Sequence, residues 1–206
     1  MVSSDGASSR WIGAGRPATR QREQRTERRI LEAAYELFYR SGFSRVSVDA
    51  IAAEARVTKR TLYHHFTSKD ELLARALRLQ HEFALERIEA WSVGLHGELG
   101  TVIDMLFADL ARWVRKPRWS AAGFTRLVME LADLPGHPAR AVARHHKAAV
   151  ADALARLLAE RGVAHPARHA EELLILLEGA MTLCLIRGNA SPLAAAAAAA
   201  KRLIGV

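Results

Sequence analysis

The chain has a single cysteine, Cys184, among its 206 residues, so no internal disulfide can close and a reducing setting such as the cytoplasm is expected. Long apolar runs are also scarce. The longest, Leu173 to Ile186, is interrupted by Glu178 and preceded by Glu171 and Glu172, which argues against a membrane-spanning helix. The first 20 residues carry basic and small side chains but no apolar stretch of the kind a secretory signal needs, and read as a flexible arm. No alternating pattern suggests a strand, and no repeat marks a solenoid. Paired carboxylates in a plausible site, a Ser/His/Asp constellation and a glycine-rich phosphate loop are all lacking, so an all-α enzyme with a basic N-terminus is the weaker alternative. His145 and His146 are adjacent, and His165 and His169 have the four-residue spacing that can share a metal on a helix. Pro166 places His165 outside that helix, however, and Cys184 is remote, so neither metal nor cofactor is expected.

What is present is basic and helical. The net charge is +8, and residues 1–69 hold 13 lysines and arginines against 7 acidic residues, whereas the rest of the chain is nearly balanced. An anionic partner is implied for the first third. There, Ile30, Ala33, Ala34, Leu37 and Phe38 recur at helical spacing between charged residues, predicting a helix over 21–41 that ends at Gly42. Ser47 and Thr58 are N-cap residues for two short helices, 48–55 and up to His65. Ser68 with Glu71 forms a capping-box pattern opening a connector helix through Leu72, Leu73, Ala76 and Leu77 toward Ala90. Beyond it, glycines and prolines divide further helices near 99–115, 120–132, 138–161, 167–187 and 192–204, the last containing the alanine run Ala194–Ala200.

Residues 47–66, SVDAIAAEARVTKRTLYHHF, satisfy the requirements of a helix-turn-helix: a bracing helix, a tight turn and a second helix with an exposed polar face. At 100° per residue, Lys59, Arg60, Tyr63 and His64 share one arc, and Thr58, Leu62, His65 and Phe66 the opposite one. Ala52 and Ala55 are small enough for the two helices to cross closely. The same periodicity also fits any helix with one solvated and one core face.

The stretch IAAEARVTKRTLYHHFTSKDELL resembles the DNA-binding region of TetR/AcrR-type regulators, whose signature is close to I-A-x-x-A-G-V-S-x-x-T-L-Y-x-H-F-x-x-K-x-x-L. Ile51, Ala52, Ala55, Val57, Thr61, Leu62, Tyr63, His65, Phe66, Lys69 and Leu72 match, with Thr58 in place of serine. The resemblance is sharp over about residues 24–84 and continues in helix layout and in the phrase LLEGAMTL. It implies a homodimeric transcriptional regulator, a repressor released from a near-palindromic double-stranded operator by a small-molecule effector; a nonspecific nucleic-acid-binding protein is the alternative. It also implies that Ser47, Thr61, Tyr63, His65 and Lys69 serve mainly phosphate contacts and that Lys59, Arg60 and His64 face base edges, with Thr58 counted among the DNA-binding residues. His65, lying on the apolar arc, has packing as a competing role. The arm with Arg16, Arg20, Arg22 and Arg25 could add contacts. One departure stands out: Arg56 occupies the family's turn glycine, where a positive φ would cost about 1 kcal/mol.

The expected fold is all-α: a flexible arm over 1–23, a three-helix helix-turn-helix domain over 24–84, and a helical ligand-sensing and dimerisation domain over 85–206. Met105, Phe107, Trp113, Trp119, Phe124 and Met129 suit an effector pocket for an apolar, flat or cationic ligand, and each singly suits an ordinary core better. Leu173, Leu176, Leu177, Ala180, Met181 and Cys184 form one stripe of a helix that is apolar on nearly all sides. That stripe is the expected dimer interface, because the family dimerises through its last two helices.

Overall fold

A computed structural model describes residues 17–93, 97–117, 119 and 123–206. Its described residues form nine helices and no strand: α1 (Pro17–Ser41), α2 (Val48–Glu54), α3 (Lys59–His65), α4 (Lys69–Val93), α5 (Leu99–Val114), α6 (Gly123–Met129), α7 (Pro138–Ala159), α8 (Pro166–Arg187) and α9 (Ser191–Ile204). Among these residues no helix is long and apolar enough to cross a membrane.

Part of the expected arm is helical. Residues 17–23 already belong to α1, which opens on Pro17, a residue whose fixed φ suits a first helical position and whose missing N–H costs nothing there. Residues 1–16, with Arg16, lie outside the described residues. At the other end of α1, Gly42 adopts φ +85 and donates its N–H to the Phe38 carbonyl at 2.8 Å, closing the helix. The Ser68 hydroxyl accepts the Glu71 N–H at 3.0 Å and caps α4. The returning Glu71 carboxylate reaches one residue further back than a capping box requires, to the N–H of Thr67 at 2.7 Å.

Two apolar cores divide the molecule. The first holds Ile30, Ala34, Phe38, Ile51, Leu62, Phe66, Leu72 and Leu77 from α1 to α4, and it continues without a break into Phe124 and Leu127 of α6, Leu131 of the turn after it, and Ala139 and Val142 of α7. The second gathers α5, α7, α8 and α9 around Ile103, Phe107, Leu158, Leu173, Leu177 and Leu193. The anticipated boundary at residue 84 therefore falls inside α4, and the N-terminal helices are held by α6 and α7 as well as by the connector.

The expected interface stripe faces inward. Leu173, Leu177, Ala180, Met181 and Cys184 are buried within the chain, most of them in the second core, and Leu176 is half-buried beside it. Their helix has apolar residues on both sides, and α9 covers this one. The opposite side stays uncovered: Ile175 is 69 % exposed and Ile186 72 %, with Leu183 on the same row. Burial pushes the Cys184 thiol up from its ordinary pKa and keeps it protonated.

Candidate nucleic-acid interface and cavity

Both helices of the helix-turn-helix are capped as their sequences predict. The Ser47 hydroxyl accepts the Ala50 N–H at 3.1 Å, and the Thr58 hydroxyl accepts the Thr61 N–H at 3.0 Å while pairing with the Thr61 hydroxyl at 2.8 Å. Between them the chain turns at Arg56, φ +52, with Arg56 N–H on the Ala53 carbonyl and Val57 N–H on the Ala52 carbonyl. These two bonds make a Schellman closure with Arg56 at its left-handed position, where glycine is the unstrained residue.

Leu62 and Phe66 of α3 point into the first core, leaving Lys59, Arg60, Tyr63 and His64 on the exposed face, Tyr63 at 48 % exposure. Thr58, placed on the inner arc by periodicity, is instead exposed, because a cap lies outside the helical rotation. Lys59 is held by Asp49 of α2 at 3.1 Å. His65 is half-buried and touches His64 and Phe66 through its ring. Lys69 lies 4.3 Å from the centre of the Phe43 ring, and partial burial lowers its pKa against the raising pull of Asp70 and Glu130, so its ammonium is packed on the α1–α2 turn in this state. Arg20, Arg22 and Arg25 are exposed on the first turns of α1.

The position of α3 depends on contacts that local sequence does not advertise. Arg75 of α4 donates to the His65 carbonyl at 3.3 Å, lies 4.8 Å over the Phe66 ring and pairs with Glu27 of α1. From the other side, Glu130, just past α6, accepts the Ser44 N–H at 3.2 Å, and Arg126 donates to the Tyr39 carbonyl at the end of α1. A Cβ on Gly42 would run into the Glu130 carboxylate, and one on Gly123 would meet Tyr35 and Tyr39, so α6 packs directly against α1. His137 caps α7 by accepting the Ala139 N–H on Nδ1, and its Nε2 points at Asp70 of α4, 3.4 Å away.

Behind α6 lies a cavity of about 390 Å³. Tyr35, Phe83, Trp113 and Phe124 contribute rings to its wall from α1, α4, α5 and α6. Its polar groups include Asp109, His146, Lys147 and Glu178. Glu178 accepts from Lys147 and from Thr125, each at 2.5 Å, which ties α6, α7 and α8 together at the wall. The His146 ring stacks on Phe124 with centroids 3.9 Å apart, and its Nδ1 meets Nδ1 of His81 on α4 at 3.1 Å. Burial, with help from Lys147, His81 and His145, lowers the His146 pKa to about 4, so the ring is neutral at neutral pH.

Of the six pocket candidates, Trp113 and Phe124 line this cavity and Trp119 packs edge-on against Trp113 at 6.1 Å. Trp119 and the other three do not line it. Phe107 is in the second core, and Met105 and Met129 are turned outward, Met129 at 67 % exposure. Among the described residues, no group of three His, Cys, Asp or Glu side chains is arranged to hold a metal ion.

The family model described as "Bacterial regulatory proteins, tetR family" matches residues 30–76, from the core of α1 to the middle of α4. Over 73 residues the chain is 40 % identical to the HTH-type transcriptional regulator UidR of Escherichia coli, covering 35 % of this chain and 37 % of UidR. Over 64 residues it is 39 % identical to the HTH-type transcriptional regulator TtgR of Pseudomonas putida, covering 31 % and 30 %. The chain thus spans about a third of the length of these curated relatives. Solved structures are similar over nearly the whole chain. A TetR-family transcriptional regulator from Streptomyces coelicolor aligns with TM-score 0.73 and 25 % identity over 89 % of this chain and 97 % of its own. Reduced NemR of E. coli aligns with TM-score 0.76 at 21 % identity, over 87 % and 97 %, which speaks for the fold alone. A TetR-type signature seated on a capped helix-turn-helix marks residues 30–76 as matching the DNA-binding region of the tetR family of bacterial regulatory proteins, and the described helices share their fold with TetR-family structures.

Proposed function

We propose that the protein is a DNA-binding transcriptional regulator, a dimeric repressor that leaves a near-palindromic operator when a small molecule fills the cavity behind α6. The observation that carries this reading is the two-sided α3, anchored by Leu62 and Phe66 and presenting Arg60, Tyr63 and His64 outward. A short helix held so firmly can carry its polar face into a major groove without reorganising. In this reading Arg60 and His64 face base edges, and Lys59 joins them after leaving Asp49. The hydroxyls of Ser47, Thr58, Thr61 and Tyr63 serve phosphates, as do the basic residues of the first turns of α1. His65 and Lys69 act mainly by holding α3 and the neighbouring turn.

The domains we assign are a reader, α1 to α3 with the start of α4, and a sensor and dimerisation unit formed by the rest. Two subunits meet through the uncovered row Ile175, Gly179, Leu183 and Ile186 of α8 together with Ala194, Ala195 and Ala198 of α9, whose small side chains permit close approach. Coupling runs through α6. A ligand in the cavity presses on Phe124 and lies against Glu178, the residue that holds Thr125, while Arg126 of α6 and Glu130 just past it grip α1 and its turn. Displacing α6 re-aims α3 in each subunit and spoils the spacing a twofold operator needs.

Iterative selection of the purified protein on random duplexes, at near-physiological salt, tests the reading. The expected outcome is an enriched inverted repeat. Uniform, purely salt-controlled binding would replace it with a nonspecific nucleic-acid-binding role.

A further inference from the structure

We propose that the cavity is shaped and charged for a flat, apolar monocation: an aromatic ring system carrying one quaternary or protonated nitrogen, with Glu178 and Asp109 as its counter-charges. The inference rests on the reading of this cavity as the effector site. Four rings, Tyr35, Phe83, Trp113 and Phe124, reach the wall from four different helices. Such walls suit planar apolar ligands, and their π faces attract a positive centre within about 6 Å. The volume, about 390 Å³, falls within the range of small-molecule sites.

The charges then decide between cation and anion. Two carboxylates line the cavity, Asp109 and Glu178, against one ammonium, Lys147. His146 adds no positive charge, since its ring is neutral at neutral pH. An anion would have to use Lys147, which Glu178 already holds at 2.5 Å, and would leave that carboxylate unpaired in a largely apolar wall. A cation displaces nothing: Glu178 keeps Lys147 and Thr125 and has acceptor capacity left on both oxygens. At Asp109 the guanidinium of Arg112 pairs from outside the lining, with its side chain 73 % exposed, and can retreat into water. The whole chain carries +8, so long-range attraction does not bring a cation here and the preference has to be local to the wall.

The test is a fluorescence titration of the purified full-length protein, free of DNA, with three probes. They are dimethylaminostyryl-N-methylpyridinium, the same dye without its N-methyl group at mildly alkaline pH where it is neutral, and anilinonaphthalene sulfonate as the anion. The cation is expected to bind about tenfold more tightly than its neutral twin, and the anion more weakly than either. Glu178→Gln and, separately, Asp109→Asn should each remove most of that preference while leaving the neutral dye unchanged. Lys147→Gln should strengthen cation binding. Equal affinity for the cation and its neutral twin, tighter binding of the anion, or a cation preference that survives both carboxylate variants would each overturn the proposal. Thermal melts accompany every variant. Should Glu178→Gln lose its fold along with the tie to α6, the half-exposed Asp109→Asn still decides the matter. Operator binding is followed in parallel. Charge-dependent dye binding without any operator would sink the regulator reading and leave the ligand class standing, whereas an operator-binding protein indifferent to the cation does the reverse.

Discussion

The two apolar regions of this molecule draw on the same residue types and are finished differently. Around α3, the side chains of Phe38, Ile51, Leu62 and Phe66 are almost wholly removed from water, and each helix end is closed by a cap or a Schellman turn. Around α8, the packed rows border a cavity of about 390 Å³, and an apolar row faces outward. A filled core holds a surface in one shape, as a reader of a fixed groove must be held. In the proposed reading, a core with a cavity in it and an apolar row outside is completed by other molecules: a ligand within and a second subunit without.

The sharpest contrast is in what truncation costs. Phe38→Ala empties a closed site and should lower the unfolding free energy by about 4 kcal/mol, whereas Leu110→Ala, on the cavity wall, enlarges a hole already there and should cost about 1 kcal/mol. Chemical denaturation of the two variants checks the difference. Equal losses would mean that the cavity is closed in solution.

The outward row predicts the next largest effect. Ile175→Glu with Ile186→Glu places two charges on the proposed seam and should give a folded monomer by sedimentation, with operator affinity reduced about a hundredfold because two half-sites are no longer bound together. The expected inner stripe gives the opposite pattern. Leu177→Glu should unfold the chain, since that residue lies in the second core.

Within the reader, Arg60→Ala should cost about 2 kcal/mol on the selected operator and leave binding to random duplex nearly unchanged, as a base contact does. Competition gel shifts against both duplexes separate the two quantities. A uniform loss would make Arg60 a phosphate contact instead.

Acid should loosen the sensor first. The His146 pKa falls from 6.5 to about 4 in the folded chain, so the unfolded chain binds the proton more readily across that interval. Stability is then complete above pH 6.5, declines as pH falls, and levels off near pH 4; the loss from this one residue is about 3 kcal/mol. His81 is lowered as well, chiefly by burial, and acts in the same direction. Melting curves across that window should flatten in His146→Gln, and an unchanged slope would place the acid sensitivity elsewhere.

How far each region could be read from sequence follows the same division. Caps at Ser47 and Thr58 and the polar face of α3 are set by residues within a few positions of one another, so spacing was enough to find them, and the family signature marked the turn at Arg56. Periodicity marked α8 as apolar on both sides, but which side meets α9 is decided by packing, and the chosen stripe proved to be the inner one. Rotation of α5 likewise sends Phe107 into the core and Trp113 to the cavity. The ties that link the regions join residues far apart in the chain: Glu130 and Ser44 by 86 positions, Thr125 and Glu178 by 53, His81 and His146 by 65. No local signal points to such pairs.

The smallest expected effect concerns the one strained position in the reader. Arg56 holds φ +52 in the Schellman turn between α2 and α3, a conformation that costs a side-chain-bearing residue about 1 kcal/mol. Arg56→Gly removes that strain but gives the unfolded chain more freedom, which returns about 0.5 kcal/mol or more. The net gain should be a few tenths of a kcal/mol, seen as a rise of about a degree or two in melting temperature. Operator affinity then separates two roles. Glycine leaves affinity unchanged if Arg56 only turns the chain, whereas a loss of about threefold, with a shallower salt dependence, would mean that its exposed guanidinium also meets a phosphate. Arg56→Val bounds the strain from the other side. A β-branched residue in the left-handed region should melt below the parent, and a variant that melted with it would show that the turn relaxes away from positive φ in solution.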